Sequence, residues 1–172
     1  MNDSFRIPVE LIFQDNYATT KSDSYPDQST WQDWVRSWLT FLQDYLPAAE
    51  SYELSLRLTT DTEIQFYNRE YRHKDQPTDV LAFAALEVDN PIPDEDWHEP
   101  LYLGDIIISV DTADKQARQQ GHGLTHELTW LTAHGILHLL GWDHPDDSSL
   151  EEMLSLQETL LKLLLKTPSE QL

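Results

Sequence analysis

No cysteine occurs among the 172 residues of the chain. That absence excludes disulfides, thiolate metal sites and a Cys nucleophile, and it leaves His, Asp and Glu as the side chains able to hold a metal. It fits a reducing compartment without demanding one. Basic residues are scarce as well: 11 Lys and Arg stand against 31 Asp and Glu, a formal net charge of −20. Phosphate binding rests on Lys and Arg, so this charge argues against a general nucleic-acid binder. Any RNA or DNA role must be carried by a local basic site or a metal. Long apolar runs are missing too, none approaching the ~20 residues that span a bilayer. The opening MNDSFRIPVELIF has no basic stretch followed by an apolar one, so no secretory signal is read there. The most apolar segment, LSLQETLLKLLLK, carries Lys162 and Lys166 and reads as an amphipathic helix. These absences point to a soluble cytoplasmic protein.

What is present suits one domain over residues 1–172, long enough to bury a core unaided. Ile7, Val9, Leu11 and Phe13 alternate as a first strand, and the polar stretch 14–29 reads as a surface loop. From Thr30, apolar residues recur at helical spacing until Pro47. Tyr52, Leu54, Leu56 and Leu58 mark a second strand, and TDTE at 60–63 has the form of a capping box opening a helix through Tyr71. Residues 78–84, TDVLAFA, are expected as a central strand, because Val80, Leu81 and Phe83 leave little polar face. Residues 85–100 hold six acidic residues, three prolines and no Lys or Arg, and read as a second, solvated surface loop. LYLGDIIISV is a fourth strand, with Gly104 marking a bulge or a close approach. Asp111 is expected to cap a short helix ending near residues 121–123, and a long helix covers 124–140 with Gly141 at its left-handed end. Ser148 and Glu151 form the expected box of the last helix. Helices and strands of both connection types point to a mixed sheet with about five helices packed on it.

The segment HGILHLLGWDH, residues 134–144, carries the chemistry. His134 and His138 are four apart and share one helix face. Gly141 ends the helix, and the returning chain can bring His144 to the same point. Three neutral imidazoles with one open corner are the ligand set of a catalytic zinc. A lone His-x-x-x-His is more often packing than ligand. The third His after a helix-ending Gly reverses that, and the surrounding Leu137, Leu139 and Leu140 make a poor place for unpaired imidazoles. The spacing matches the metzincin protease signature except that Gly135 stands where the catalytic glutamate would be. Peptidase chemistry is therefore disfavoured. A phosphodiester fits better, because metal-bound hydroxide can attack phosphorus and the metal can stabilise the developing charge.

NREYRHKDQPTDVLAF, residues 68–83, holds Arg69, Arg72 and Lys74, three of the eleven basic residues. Arg offers a planar fork to phosphate and Lys a point charge. Ion pairing with Glu70 and Asp75 accounts for one arginine, and Arg69 is assigned to it. Arg72 is taken as the functional cation, with Lys74 beside it as a second substrate contact. Asp79 reads as a turn or capping residue. His98, His122 and His126 read as surface or packing residues. Asp143 stands evenly between orienting a ligand histidine and capping the turn.

With these segments in view, the chain resembles the YbeY family of bacterial rRNA maturation factors. The resemblance rests on HGILHLLGWDH and NREYRHKDQPTDVLAF, with LGDIIIS between them and EEM after, and runs from about residue 52 to 165. It implies a small α+β domain with a mixed four-stranded sheet and a metal site in a cleft. It further implies a single-strand-specific, metal-dependent endoribonuclease acting in 16S rRNA 3′-end maturation and ribosome quality control in the cytoplasm. By position, His134, His138 and His144 would hold one Zn²⁺ per chain, and Arg72 would be the functional arginine of the YR pair. The partners implied are single-stranded rRNA in the small ribosomal subunit and ribosomal or assembly proteins. Trp142 stands where the family usually has Tyr, and Ala82 where it usually has Ser. Both departures bear on local packing more than on activity.

Two rival readings stay open at this point. One is a zinc hydrolase of a small ester or amide. The other is a ribosome-assembly factor with a structural zinc and no catalysis, which the charge of −20 suits. Three histidines also accept Ni²⁺ or Cu²⁺, so the residues alone do not name the metal.

Overall fold

Alternation along β2 (Tyr52–Thr59) sends Leu54, Leu56 and Leu58 to one side, where all three are fully buried. In the computed structural model, which describes residues 6–17, 25–85, 98–143 and 145–165, that side is the main core. β1 (Val9–Asp15), β2, β3 (Val80–Ala84) and β4 (Leu101–Ser109) form one mixed sheet in the order β1-β2-β4-β3. β1–β2 and β2–β4 pair parallel, and β3–β4 antiparallel. Five helices surround the sheet: α1 (Gln28–Phe41), α2 (Asp61–Arg72), α3 (Val110–Gln120), α4 (Leu124–Leu139) and α5 (Asp147–Leu164).

The main core lies between one sheet face and α1, α4 and α5. Trp31, Trp34 and Trp38 of α1 are buried there, and the Trp38 indole N–H donates to the Leu160 carbonyl at 2.8 Å, tying α1 to α5. Helices with one apolar stripe gain most of their stability from such packing. The opposite face carries a small cluster, Ile64, Leu81 and Ile107, beneath α2. Beyond α2, this face is uncovered among the described residues and presents Gln14, Ser55, Arg57 and Asp105 to a shallow groove.

Several expectations shift in physically instructive ways. The strand expected at the centre, β3, is an edge strand, and β4 is central. Its apolar character arises because Leu81 and Phe83 pack beneath α2 while Val80, Ala82 and Ala84 face the main core and α4. The helix expected from Thr30 to Leu46 starts at Gln28, capped by Asp27, whose carboxylate accepts from the Thr30 N–H, and it relaxes to a short 3₁₀ turn at Gln43–Tyr45. Thr60 caps α2 as expected, but Glu63 pairs with Arg57 instead of closing the box. Ser109, and not Asp111, caps α3. Asp111 reaches across to accept from the Asp61 N–H at 2.9 Å and the Tyr17 hydroxyl at 2.7 Å, so it caps α2. The last helix is boxed by Asp146 and Ser149, two residues before the expected pair. Of the two surface-loop segments, residues 18–24 and 86–97 lie outside the described residues, and residues 14–15 complete β1. No helix among the described residues is long and apolar enough to cross a membrane.

Candidate functional site

Two glycines let α4 lie close on the sheet and thereby set its histidines. A Cβ at Gly135 would sit 2.9 Å from Cγ2 of Ile106, a fully buried β4 residue. Gly104, with φ +140, lies under Leu139 of α4, and a Cβ there would meet the Phe83 carbonyl oxygen at 2.2 Å and Leu139 Cδ2 at 2.8 Å. Both the bulge and the close approach read from Gly104 are present, since the β2–β4 register shifts at this point. At the far end of α4, Gly141 has φ +96, and the Trp142 N–H reaches back to the Leu137 carbonyl at 2.9 Å while the Gly141 N–H bonds His138 at 3.0 Å. These two bonds are a Schellman closure, which the left-handed glycine permits. The chain leaves α4 there, past Trp142 and Asp143 at the cleft wall. Trp142 packs edge-on against Tyr45, with ring centroids 5.5 Å apart.

The cleft occupies about 500 Å³ and is lined by His134, His138, Arg72, Ala82 and Ala84, with Gly135 at its floor. Nε2 of His134 and Nε2 of His138 stand 2.9 Å apart, with the rings edge to face. The tautomer of His134 follows from its other nitrogen. Gln157 of α5 is fully buried, and its amide Nε2 donates to the Trp130 carbonyl at 3.4 Å. Its Oε1 therefore faces His134 Nδ1, at 3.1 Å, and Nδ1 must carry the proton. Nε2 of His134 is then left with its lone pair directed at His138. Two imidazole nitrogens converging on one point, one of them oriented by a buried amide, fit a borderline cation such as Zn²⁺. The third expected ligand, His144, lies outside the described residues. Among the described residues, no group of three or more His, Asp or Glu side chains is placed to share a metal.

Arg72, the last residue of α2, reaches the same cleft over the β3 edge. His73 ends the helix in the left-handed conformation, at φ 61. The Arg72 guanidinium donates to the outward-facing Ala82 carbonyl at 2.8 Å and lies 5.2 Å from the centre of the Phe83 ring. Among the described residues it has no carboxylate partner. Arg69 does, with Glu70 at 3.4 Å and Asp75 at 3.7 Å. Lys74 is exposed on the turn after α2 and does not line the cleft. Asp79 accepts from the Val80 N–H at 2.7 Å and from Gln116, as a turn residue does.

The remaining described histidines are elsewhere. His98 contacts Glu50 at 3.2 Å. His122 bonds the buried Glu127 at 2.5 Å and lies against His126 with the rings tilted, and the His126 imidazole is held below its ordinary pKa by burial and then by His122. Gln157 is the site residue that the motif reading did not single out. Its signal was a glutamine inside the apolar stripe of the last helix, among Met153, Leu160, Leu161 and Leu164.

The comparisons with known proteins bear on this arrangement. The family model described as Endoribonuclease YbeY matches residues 16–165. A protein of Synechocystis sp. named Endoribonuclease YbeY is 60% identical over 168 residues, covering 95% of this chain and 94% of its own. One of Nostoc sp. with the same name is 54% identical over 169 residues, covering 93% and 92%. The solution structure of TM1509 from Thermotoga maritima shares the fold at a TM-score of 0.52 and 21% identity, over 94% of this chain and 97% of that one. The chain belongs to the endoribonuclease YbeY family.

Proposed function

We propose that the chain is a zinc-dependent endoribonuclease that cuts single-stranded RNA. Its relatives carry the name endoribonuclease. The observation that supports metal chemistry best is the pair of imidazole nitrogens meeting at 2.9 Å in a cleft shared with Arg72. His134 and His138, with His144 as the third ligand, would hold the ion. When bound, a zinc ion supplies Lewis acidity to a phosphodiester oxygen. The chain's own residues do the rest. Arg72 presents a planar fork to the non-bridging oxygens, and its bond to the Ala82 carbonyl and its seat on Phe83 fix the direction of that fork. Gly135 leaves no room for a glutamate base, since even a methyl would press on Ile106. A peptide carbonyl is thereby disfavoured relative to a phosphodiester. Maturation of the 16S rRNA 3′ end, ribosome quality control and the cytoplasm are the setting we infer for it, with the small ribosomal subunit as partner.

Cleavage of a single-stranded RNA oligonucleotide, measured together with metal content, tests the reading. Arg72→Glu is expected to abolish cleavage and retain the metal, whereas His138→Ala loses both. Unchanged cleavage by Arg72→Glu would sink the assignment, and cleavage by metal-free His138→Ala would point to a contaminating nuclease.

A further inference from the structure

We propose that a strip of four aromatic rings running from the cleft along the groove between α2 and the sheet, and ending on Phe66, is a stacking platform for the unpaired bases of single-stranded RNA. The proposal rests on the endoribonuclease reading above and extends it to how the substrate is held. Phe83, Tyr71, Tyr67 and Phe66 form an unbroken series. Centroids are 5.4 Å apart for Tyr71–Phe83, 6.2 Å for Tyr67–Tyr71 and 5.5 Å for Phe66–Tyr67. Tyr71 is 63% exposed and Phe66 48%, while Tyr67 and Phe83 are half-buried, with part of each ring packed against Ile64, Leu81 and Ile107. Single exposed aromatics are ordinary on a protein surface, but a contiguous row marks an interaction site.

Three features favour RNA as the occupant. First, a guanidinium accompanies three of the four rings: Arg72 over Phe83 at 5.2 Å, Arg57 over Tyr67 at 5.9 Å and Arg69 over Phe66 at 5.5 Å. Rings interleaved with arginines are the composition of surfaces that stack bases. Second, the strip is continuous with the cleft, because Arg72 lines the cleft and also seats on Phe83. A strand whose phosphate meets Arg72 would lay its neighbouring bases on Tyr71 and beyond. Third, the strip suits a chain of charge −20. Arg57 is neutralised by Glu63 at 2.6 Å, and Arg69 by Glu70 and Asp75, so binding there rests on ring faces more than on charge. A base inside a duplex has both faces occupied. Stacking on protein rings therefore selects single strands without reading sequence or sugar.

The test is fluorescence anisotropy with the full chain and a labelled, cleavage-resistant 2′-O-methyl RNA 12-mer. Tyr71→Ala should weaken binding by roughly 5- to 100-fold, the effect of losing one base–ring stack, and Phe66→Ala should weaken it in the same direction. Tyr71→Phe keeps the ring and should bind within about 3-fold of the parent. An oligonucleotide with abasic sites should bind the parent as weakly as the intact one binds Tyr71→Ala, and the variant should lose nothing further on it. Salt dependence should be shallow in both proteins, because few phosphates are contacted and each adds only about −0.7 to the slope for a single strand. If Tyr71→Ala and Phe66→Ala bind as the parent does, the platform falls, and the strip faces a protein partner instead. If the parent binds no RNA at all, the platform and the endoribonuclease reading fall together. Normal, ring-dependent binding without cleavage upholds the platform and overturns only the catalytic reading.

Discussion

The amide oxygen of Gln157 lies 3.1 Å from Nδ1 of His134, joining α5 to the imidazole pair of α4. Because the Gln157 amide also donates to the Trp130 carbonyl, its two ends are not interchangeable, and His134 is held as the tautomer with Nδ1 protonated and the Nε2 lone pair turned toward His138. A ligand imidazole oriented in this way loses less entropy on meeting a metal than one free to flip.

Gln157→Leu removes that orientation while keeping the volume and the apolar surround. We expect metal affinity to fall by about 10- to 100-fold, the usual effect of losing the outer partner of a ligand histidine. Competition against a chromogenic chelator reads this directly, without reference to turnover. An affinity equal to that of the parent would mean the contact does not orient the ligand.

Gly135 provides a second test, this time of packing. Alanine would gain about 1 kcal/mol of helix propensity over glycine. Against that stands its Cβ, 2.9 Å from Cγ2 and 3.1 Å from Cγ1 and Cδ1 of a buried Ile106, an overpacking of about 1–3 kcal/mol. We expect Gly135→Ala to be net destabilised in urea melts by about 1 kcal/mol. Ile106→Ala removes all three clashing atoms, so Gly135→Ala should cost nothing in that background. Additive losses in the double variant would show that the two residues do not press on each other. Gly135→Glu should unfold the chain rather than create a peptidase.

Much of this site could be read from residue order. The histidine motif, the YR pair and the glycines at 104 and 141 announce local geometry, because helix spacing and left-handed turns are properties of a few adjacent residues. Strand order did not follow from hydropathy: β3 is an edge strand covered on both sides, so its pattern looks central. Asp111 misled for a related reason. Its position suits a cap on α3, yet its carboxylate serves the N–H of Asp61, fifty residues away. Gln157 was legible only as a polar residue in an apolar stripe, and its partner is 23 residues distant.

The start of α5, which carries Gln157, has a pH-dependent anchor. The Asp146 carboxylate accepts from the Ser149 N–H at 2.8 Å and from the Ser149 hydroxyl at 2.8 Å, and these bonds hold it below the ordinary carboxylate pKa. A depressed folded-state pKa means that its contribution is complete above the unfolded value of about 3.9 and disappears as pH falls through the folded value. Asp146→Ala should therefore melt below the parent at pH 7, and the gap should narrow as pH falls below the unfolded value and through the lowered folded one. Asp146→Asn keeps an N-cap acceptor without the charge, so its melting deficit should change less with pH. A parent-to-alanine gap that stays constant as the carboxylates titrate out below pH 7 would exclude the carboxylate as the anchor.

Arg72 separates charge from geometry. Lysine at this position retains one positive charge but cannot both grip the Ala82 carbonyl and lie flat on Phe83 while presenting two N–H groups to a phosphate. If the fork matters, Arg72→Lys should lower kcat on single-stranded RNA by about 10²-fold, the loss typical of one oriented donor to developing charge. KM should change less, because a lysine still attracts the strand. Folding stability should stay within about 0.5 kcal/mol, since the side chain is exposed and no carboxylate depends on it. Metal content should be unchanged. Full activity in Arg72→Lys would show that a point charge is enough, and the seat on Phe83 would then belong to base stacking alone.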